Sequence, residues 1–181
     1  MSRGSMRVKG LHELYAASVI EERVCEIAEE INRLYEGKPL VMICVLKGAF
    51  MFFSDLVKHV TVGTEIDFVR LASYGKSSSS AGTVSFLKDT ELSLRNKDVL
   101  IVEDIVDSGL TMDFLVRQLA ARGANSLRIA ALIDKVERRE RTVTVNFSGF
   151  TLSSGFIVGY GLDYAERFRE LPAVYTLEFE E

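Results

Sequence analysis

The chain has only two prolines, two cysteines and two histidines among 181 residues. So few prolines, and glycines with no triplet period, exclude a collagen-like chain. Cys25 and Cys44 form no C-x-x-C pair, and His12 and His59 lie far apart in sequence, so no zinc site is expected. Cys25 falls in a helical pattern and Cys44 inside an apolar run, which predicts two buried, unbridged thiols. No apolar run approaches the ~18 residues of a membrane span; the longest, Leu40 to Leu46, is strand-sized. No basic segment followed by an apolar one opens the chain, so no secretory signal is read. With reduced thiols, this points to the cytoplasm and away from a membrane partner. A basic excess is missing too. The 22 Lys and Arg against 26 Asp and Glu leave a net charge of −4. That argues against a general nucleic-acid binder, though not against a local basic pocket for a small anion. The opening Met1-Ser2-Arg3-Gly4-Ser5 resembles an expression-vector remnant and is set aside.

What is present suits one globular domain. Hydrophobic residues make up 48% and charged residues 27%, and a chain of this mass should bury roughly 70% of its unfolded surface. Ser18 with Glu21 matches a capping box. Behind it Ile20, Val24, Ile27, Ile31 and Leu34 recur at helical spacing, with Gly37 as the stop. Leu40 to Leu46 predicts a strand buried on both faces, as in parallel sheets. Phe50 to Val57 follows as a second helix, and Ile66, Phe68 and Leu71 as a half-buried strand. Ser73-Tyr74-Gly75-Lys76 with the serines and glycine to Gly82 reads as a mobile loop, a lid or an idle surface loop. Thr83 to Leu87 and Leu92 to Leu94 are expected to form a hairpin arm. Val99 to Val102 is a second doubly buried strand. Met112, Leu115, Val116, Leu119 and Ala120 make an amphipathic helix closed by Gly123. Leu127 to Ile133, Thr142 to Phe147, Phe156 to Val158 and Val174 to Phe179 are further strands. This alternation predicts an α/β domain with a mainly parallel, twisted sheet flanked by helices. Ligands in such folds bind beyond the carboxyl ends of the strands.

The most informative stretch is Val99-Leu100-Ile101-Val102-Glu103-Asp104-Ile105-Val106-Asp107-Ser108-Gly109-Leu110-Thr111. Four apolar residues drive a strand into the core, two carboxylates follow, and a hydroxyl-rich glycine turn opens a helix. Such a turn aims backbone N–H groups and the positive helix end at one spot, which suits phosphate. Ser108 and Thr111 add hydroxyl donors, and Gly109 allows close approach. The G-K-[ST] element of a Walker loop is absent. Glu103 and Asp104 would serve another part of the ligand, either vicinal sugar hydroxyls or a magnesium ion held through its waters. The implied ligand is a sugar phosphate.

This string resembles the phosphoribosyl-pyrophosphate motif of type I phosphoribosyltransferases. Over roughly Met6 to Glu181 the chain is similar to the hypoxanthine-guanine subfamily, as one domain with a small hood and a mobile lid. The other carrying segments are Val45 to Phe50, Leu71-Ala72-Ser73-Tyr74, Lys135 past a strand, and Phe156 to Tyr164 with Arg169 behind. The resemblance implies transfer of ribose 5-phosphate from phosphoribosyl pyrophosphate to hypoxanthine or guanine, with release of pyrophosphate. It implies that Asp107 to Thr111, with Ser108, Gly109 and Leu110 between, bind the 5-phosphate. Glu103 and Asp104 would hold the ribose hydroxyls and a magnesium ion, and Asp107 would be the general base at purine nitrogen 7. Lys47 and Gly48 would form the pyrophosphate loop, in a family where the bond before the lysine can be cis. Lys135 would donate to the oxygen on purine carbon 6. Phe156 would stack on the base, and Ile157 would offer it backbone groups. Asp163 would bind magnesium and Arg169 pyrophosphate. Ser73 and Tyr74 would ride on the lid. Relatives are homodimers or homotetramers. The run Glu137-Arg138-Arg139-Glu140-Arg141 reads as a solvated face. A xanthine-preferring enzyme and an RNA-binding regulator on the same fold remain as alternatives.

Overall fold

The computed structural model describes residues 7–73 and 84–180. In chain order its elements are β1 (Val8–Tyr15), α1 (Ala17–Leu34), β2 (Leu40–Leu46), α2 (Phe50–His59), β3 (Thr64–Ser73), β4 (Val84–Lys88), β5 (Asp98–Val106), α3 (Leu110–Ala120), β6 (Ser126–Lys135), β7 (Phe147–Leu152), β8 (Ile157–Val158) and β9 (Val174–Phe179). Six strands form one sheet in the order β4-β3-β2-β5-β6-β7. Only β4 runs antiparallel within it. β1, β9 and β8 make a separate antiparallel sheet.

The doubly buried strands behave as their composition requires. Along β2, Leu40, Met42 and Cys44 face one core and Val41, Ile43 and Val45 face another. In β5, Leu100 and Val102 join the first core, Val99 and Ile101 the second. α1 and α2 cover the first core; α3 covers the second through Met112, Leu115 and Leu119. Both thiols are unbridged. Cys44 is fully buried, and burial, followed by the nearby Glu103 and Asp104 charges, pushes its pKa up to about 12. Cys25 is only half-buried, with its sulfur near the His59 ring.

Several local expectations are corrected. α1 begins at Ala17 with no side-chain cap, so Ser18 and Glu21 form no capping box. Its first turn is set by the Ile20 amide bonding the Ala16 carbonyl at 3.1 Å, with Ile20 buried. Ile66 and Phe68 stand on the exposed side of β3, while Asp67 and Val69 are buried between and beside them. Leu92 to Leu94 is not a strand, because the Asp67 carboxylate takes the amides of Glu91 at 2.7 Å and Leu92 at 2.9 Å. β7 starts at Phe147 and not at Thr142. The Asn146 side chain accepts from the Ile129 amide at 3.0 Å, in place of a backbone carbonyl. β1 was not expected at all. The lid expectation, including Tyr74, lies outside the described residues, and β3 ends at Ser73.

Asp67 is therefore a buried anchor for the chain leaving β4. Burial alone would raise its pKa, but the amides of Leu92, Phe68 and Glu91 outweigh that and hold it below the usual carboxylate range. The folded state favours the ionised form, so this stability is present above the unfolded pKa and is lost as pH falls through the lowered folded value. Asp67→Ala should cost about 2–3 kcal/mol at pH 7, with a smaller deficit at pH 3, measured by urea unfolding.

Candidate active site

The strand order reverses direction between β2 and β5, and the site lies beyond their carboxyl ends, as open α/β sheets require. β2 and β5 pair in parallel from Leu40 opposite Asp98 to Cys44 opposite Val102. Continuing that register sets Leu46 opposite Asp104, and the chain beyond it brings Gly48 against the Asp104 side chain. The Leu46–Lys47 peptide is cis. A Cβ built on Gly48 would fall on the Asp104 carboxylate, so no larger residue fits there. Gly161 closes on the other side, with its own missing Cβ directed at the Gly48 carbonyl.

The turn after β5 is held from outside. Gly109 caps α3 at φ +81°, and a Cβ there would sit 2.6 Å from the Arg141 carbonyl oxygen. The Ser108 carbonyl accepts from the Glu140 and Arg141 amides at 2.9 and 3.0 Å. Arg139 does more. Its guanidinium pairs with Asp134 and donates to the carbonyls of Asp107 (3.1 Å), Val106 (3.3 Å), Lys135 (3.0 Å) and Val143 (3.0 Å). Arg139 is thus no part of a solvated face. It ties the end of β5 to the end of β6, using the planar fork that lysine lacks.

Two adjoining cavities result. One, of about 150 Å³, is lined by Glu103, Asp104, Asp107, Ser108, Gly109 and Thr111. The first turn of α3, where Leu110 lies, opens onto it with the positive end of the helix. The other, of about 410 Å³, is lined by Asp104, Asp107, Lys135, Phe156, Ile157 and Asp163 among others. That volume suits a small planar ligand. Lys135 is buried and donates to the Gly155 carbonyl at 2.6 Å. Phe156 is 57% exposed, its ring edge-on to Phe179 at 5.5 Å. Ile157 is buried, opposite Thr176 of β9. One oxygen of Asp107, Oδ1, is buried with no hydrogen-bond partner, and Oδ2 lies 3.7 Å from Arg138. A larger cavity of about 480 Å³ lies between α1 and α2, and it contains none of these residues. The buried Glu103 and Lys135 and the unpartnered Asp107 oxygen lie at the smaller pair, which we therefore take as the site.

Electrostatics divide the site. Glu103 is buried, and burial, then the Asp104 charge, pushes its pKa well up. Burial raises Asp104 as well, with Arg169 acting in the opposite sense. Among the described residues the pair has no salt-bridge partner. Opposite it, Lys47 meets Glu166 at 2.9 Å, and Arg169 meets Asp163 at 2.7 Å and Glu166 at 3.3 Å. Glu166 escaped the sequence reading, as did Arg139. Its only signal was a third carboxylate three residues beyond Asp163.

A parallel sheet with a carboxylate pair and an amide-lined turn at its switch point defines an α/β sugar-phosphate-binding protein. The family model described as phosphoribosyl transferase domain matches residues 10–165, and the chain belongs to that family. It is 43% identical over 171 residues to the hypoxanthine-guanine phosphoribosyltransferase of Mycobacterium tuberculosis, covering 91% of this chain and 85% of that one. It is 44% identical over 157 residues to the hypoxanthine phosphoribosyltransferase of Escherichia coli, covering 86% and 88%. The crystal structure of a hypoxanthine-guanine phosphoribosyltransferase from Bacillus anthracis superposes with a TM-score of 0.89 at 39% identity, covering 95% of this chain and all of that one. The sheet and its flanking helices follow the type I phosphoribosyltransferase fold.

Two outcomes test this geometry. Arg139→Lys keeps the charge and loses the fork; it should cost about 2–3 kcal/mol, read as a fall of about 5–10 °C in thermal midpoint. Glu103 has a raised folded pKa, so its contribution to stability is full below the unfolded pKa and is lost as pH rises through the folded value. Glu103→Gln should therefore melt about 3 °C higher than the parent at pH 8 without divalent cation. The gap should close toward pH 4.

Proposed function

We propose that this protein transfers the 5-phosphoribosyl group from phosphoribosyl pyrophosphate to hypoxanthine and guanine, releasing pyrophosphate, as a cytoplasmic purine-salvage enzyme. The observation that carries the reading is the single cavity in which Asp107, Lys135, Phe156 and Asp163 converge. Residues 6–181 act as one domain in this proposal. Self-association as a dimer or tetramer fits the exposed Val19, Phe50, Ile66 and Phe68.

The proposed roles combine the family resemblance with the positions described above. The turn Asp107 to Thr111 takes the 5-phosphate, through amide and hydroxyl donors at the start of α3. Glu103 and Asp104 accept hydrogen bonds from the ribose 2- and 3-hydroxyls, which relieves two crowded carboxylates. Lys135 donates to the oxygen on purine carbon 6, exchanging its bond to the Gly155 carbonyl. Phe156 offers an exposed ring face for the base, and Ile157 offers backbone groups to its edge. The unpartnered Oδ1 of Asp107 accepts the proton leaving purine nitrogen 7. Lys47 and the Gly48 backbone, with Arg169, hold the pyrophosphate. The resemblance assigns Ser73 and Tyr74 to a lid.

A divalent cation fits this donor set. Hard oxygen donors dominate, and the raised Glu103 and Asp104 carboxylates lack a counter-charge. Among the described residues no three His, Cys, Asp or Glu side chains form a cage. Magnesium usually takes one or two carboxylates and completes its shell with water and substrate phosphate. Glu103, Asp104 and Asp163 would hold it, and bound there it would neutralise the departing pyrophosphate. Asp163 also pairs with Arg169 at 2.7 Å.

The reacting carbon gains positive charge as the pyrophosphate bond lengthens, so positioning and electrostatics supply most of the catalysis. The test mixes protein, phosphoribosyl pyrophosphate and magnesium with hypoxanthine, guanine, xanthine, adenine or uracil in turn. Nucleotide should form with hypoxanthine or guanine, and Asp107→Asn should slow it by about 10²–10⁴-fold. No product with any base overturns the reading.

A further inference from the structure

Asp163, Glu166, Lys47 and Arg169 form a closed network of two carboxylates and two cations. Its formal charge is zero. A diphosphate carrying several negative charges would meet a neutral surface there, and the two cations would already be engaged. One carboxylate has to leave for the network to gain net positive charge, and only the departure of Glu166 frees Lys47 and removes one of the two partners of Arg169. The structure distinguishes the two. Asp163 is the more enclosed: its Oδ2 accepts the Glu166 amide at 2.8 Å and its Oδ1 meets Arg169 at 2.7 Å. The Glu166 side chain is 65% exposed and touches the network only through its carboxylate tip, one oxygen serving both Lys47 and Arg169.

The backbone beneath Glu166 is fixed. Tyr164 and Arg167 exchange two amide–carbonyl bonds of 3.2 Å, with Ala165 and Glu166 between them at φ +53° and +63°. Two left-handed residues inside such a bridge form a type I′ turn. The turn holds the Glu166 Cα within reach of Lys47, so only side-chain torsions need to change. A carboxylate bridging an ammonium and a guanidinium presents the same charge and acceptor geometry as one phosphate oxygen pair.

We propose that Glu166 determines how tightly the pyrophosphate subsite holds its ligand, by occupying Lys47 and Arg169 until a diphosphate displaces it. This rests on the pyrophosphate role given to Lys47 and Arg169 above. The contacts are solvent-exposed ion pairs, so the competition is modest. Removing the charge while keeping the stem should free Lys47, leave Arg169 with Asp163 as its one carboxylate partner, and tighten binding of diphosphate alone. The 5-phosphate turn, on the far side of Asp104, should not respond.

The experiment is calorimetric titration of the whole protein with inorganic pyrophosphate and magnesium, and separately with inosine 5-monophosphate. Wild type, Glu166→Gln and Glu166→Ala are compared, and thermal melts check that each is folded. Both variants should bind pyrophosphate about three- to tenfold more tightly, with a steeper salt dependence, and bind the monophosphate as wild type does. Pyrophosphate affinity unchanged or weakened in both folded variants overturns the proposal. If wild type still turns over hypoxanthine or guanine, that result leaves the functional reading standing. If no variant binds pyrophosphate and wild type forms no nucleotide, both fall together.

Discussion

Strands β2 and β5 have no face left for water. Every residue from Leu40 to Val45 and from Val99 to Val102 is buried, and helices cover both sides. Polar groups can then emerge from the middle of the sheet only at strand ends. The reversal of strand order between these two strands leaves a cleft at their carboxyl ends, so Lys47-Gly48 and Glu103-Asp104 are forced together. Burial drives the fold, and the same burial confines the chemistry to one rim.

That rim is left electrostatically incomplete in two opposite ways. Glu103 and Asp104 crowd two carboxylates with too little positive charge, which burial makes worse. In the proposed complex, sugar hydroxyls and a hydrated cation would remedy this. In the cavity that Asp104 shares with Asp163, the Asp163, Glu166, Lys47 and Arg169 network is balanced by itself. The first subsite gains from any donor that arrives, whereas the second must break internal pairs to accept an anion. A ligand that carries hydroxyls and a polyphosphate in one molecule can offset the second cost with the first gain, and neither fragment alone can do so.

The long-period signals were legible in the sequence. A continuous apolar run placed β2 to the residue, the expected bounds of β9 hold, and the helical stripe of α3 placed Met112, Leu115 and Leu119 in the core. The central motif marked the glycine turn before α3 through its order of strand, carboxylates, glycine and helix. What stayed hidden depends on partners distant in sequence. β1 exists because β9 pairs with it, and its own burial pattern does not alternate cleanly. Asp67 sits in a strand where local rules place apolar residues, and its partners are 24 and 25 residues away. Arg139 lies in a run of charges that any local rule reads as solvated, yet four carbonyls and a carboxylate surround it.

Arg139 and Glu166 show two uses of charge beside one site. Arg139 is largely enclosed, bonded to carbonyls that water cannot reach in its place, and its removal would leave those carbonyls and Asp134 unpaired. That makes it a fixed part of the frame. Glu166 lies on the surface, where water replaces a lost partner at little cost, so its pairs are easily exchanged. The difference follows from burial and not from residue type. A rigid turn for the 5-phosphate and an exchangeable contact for the pyrophosphate match what each ligand part must do. The 5-phosphate remains attached to the ribose throughout the reaction, so a permanent clamp is useful there. The pyrophosphate has to be held while its bond breaks and then released, and a protein carboxylate ready to retake Lys47 and Arg169 favours that release.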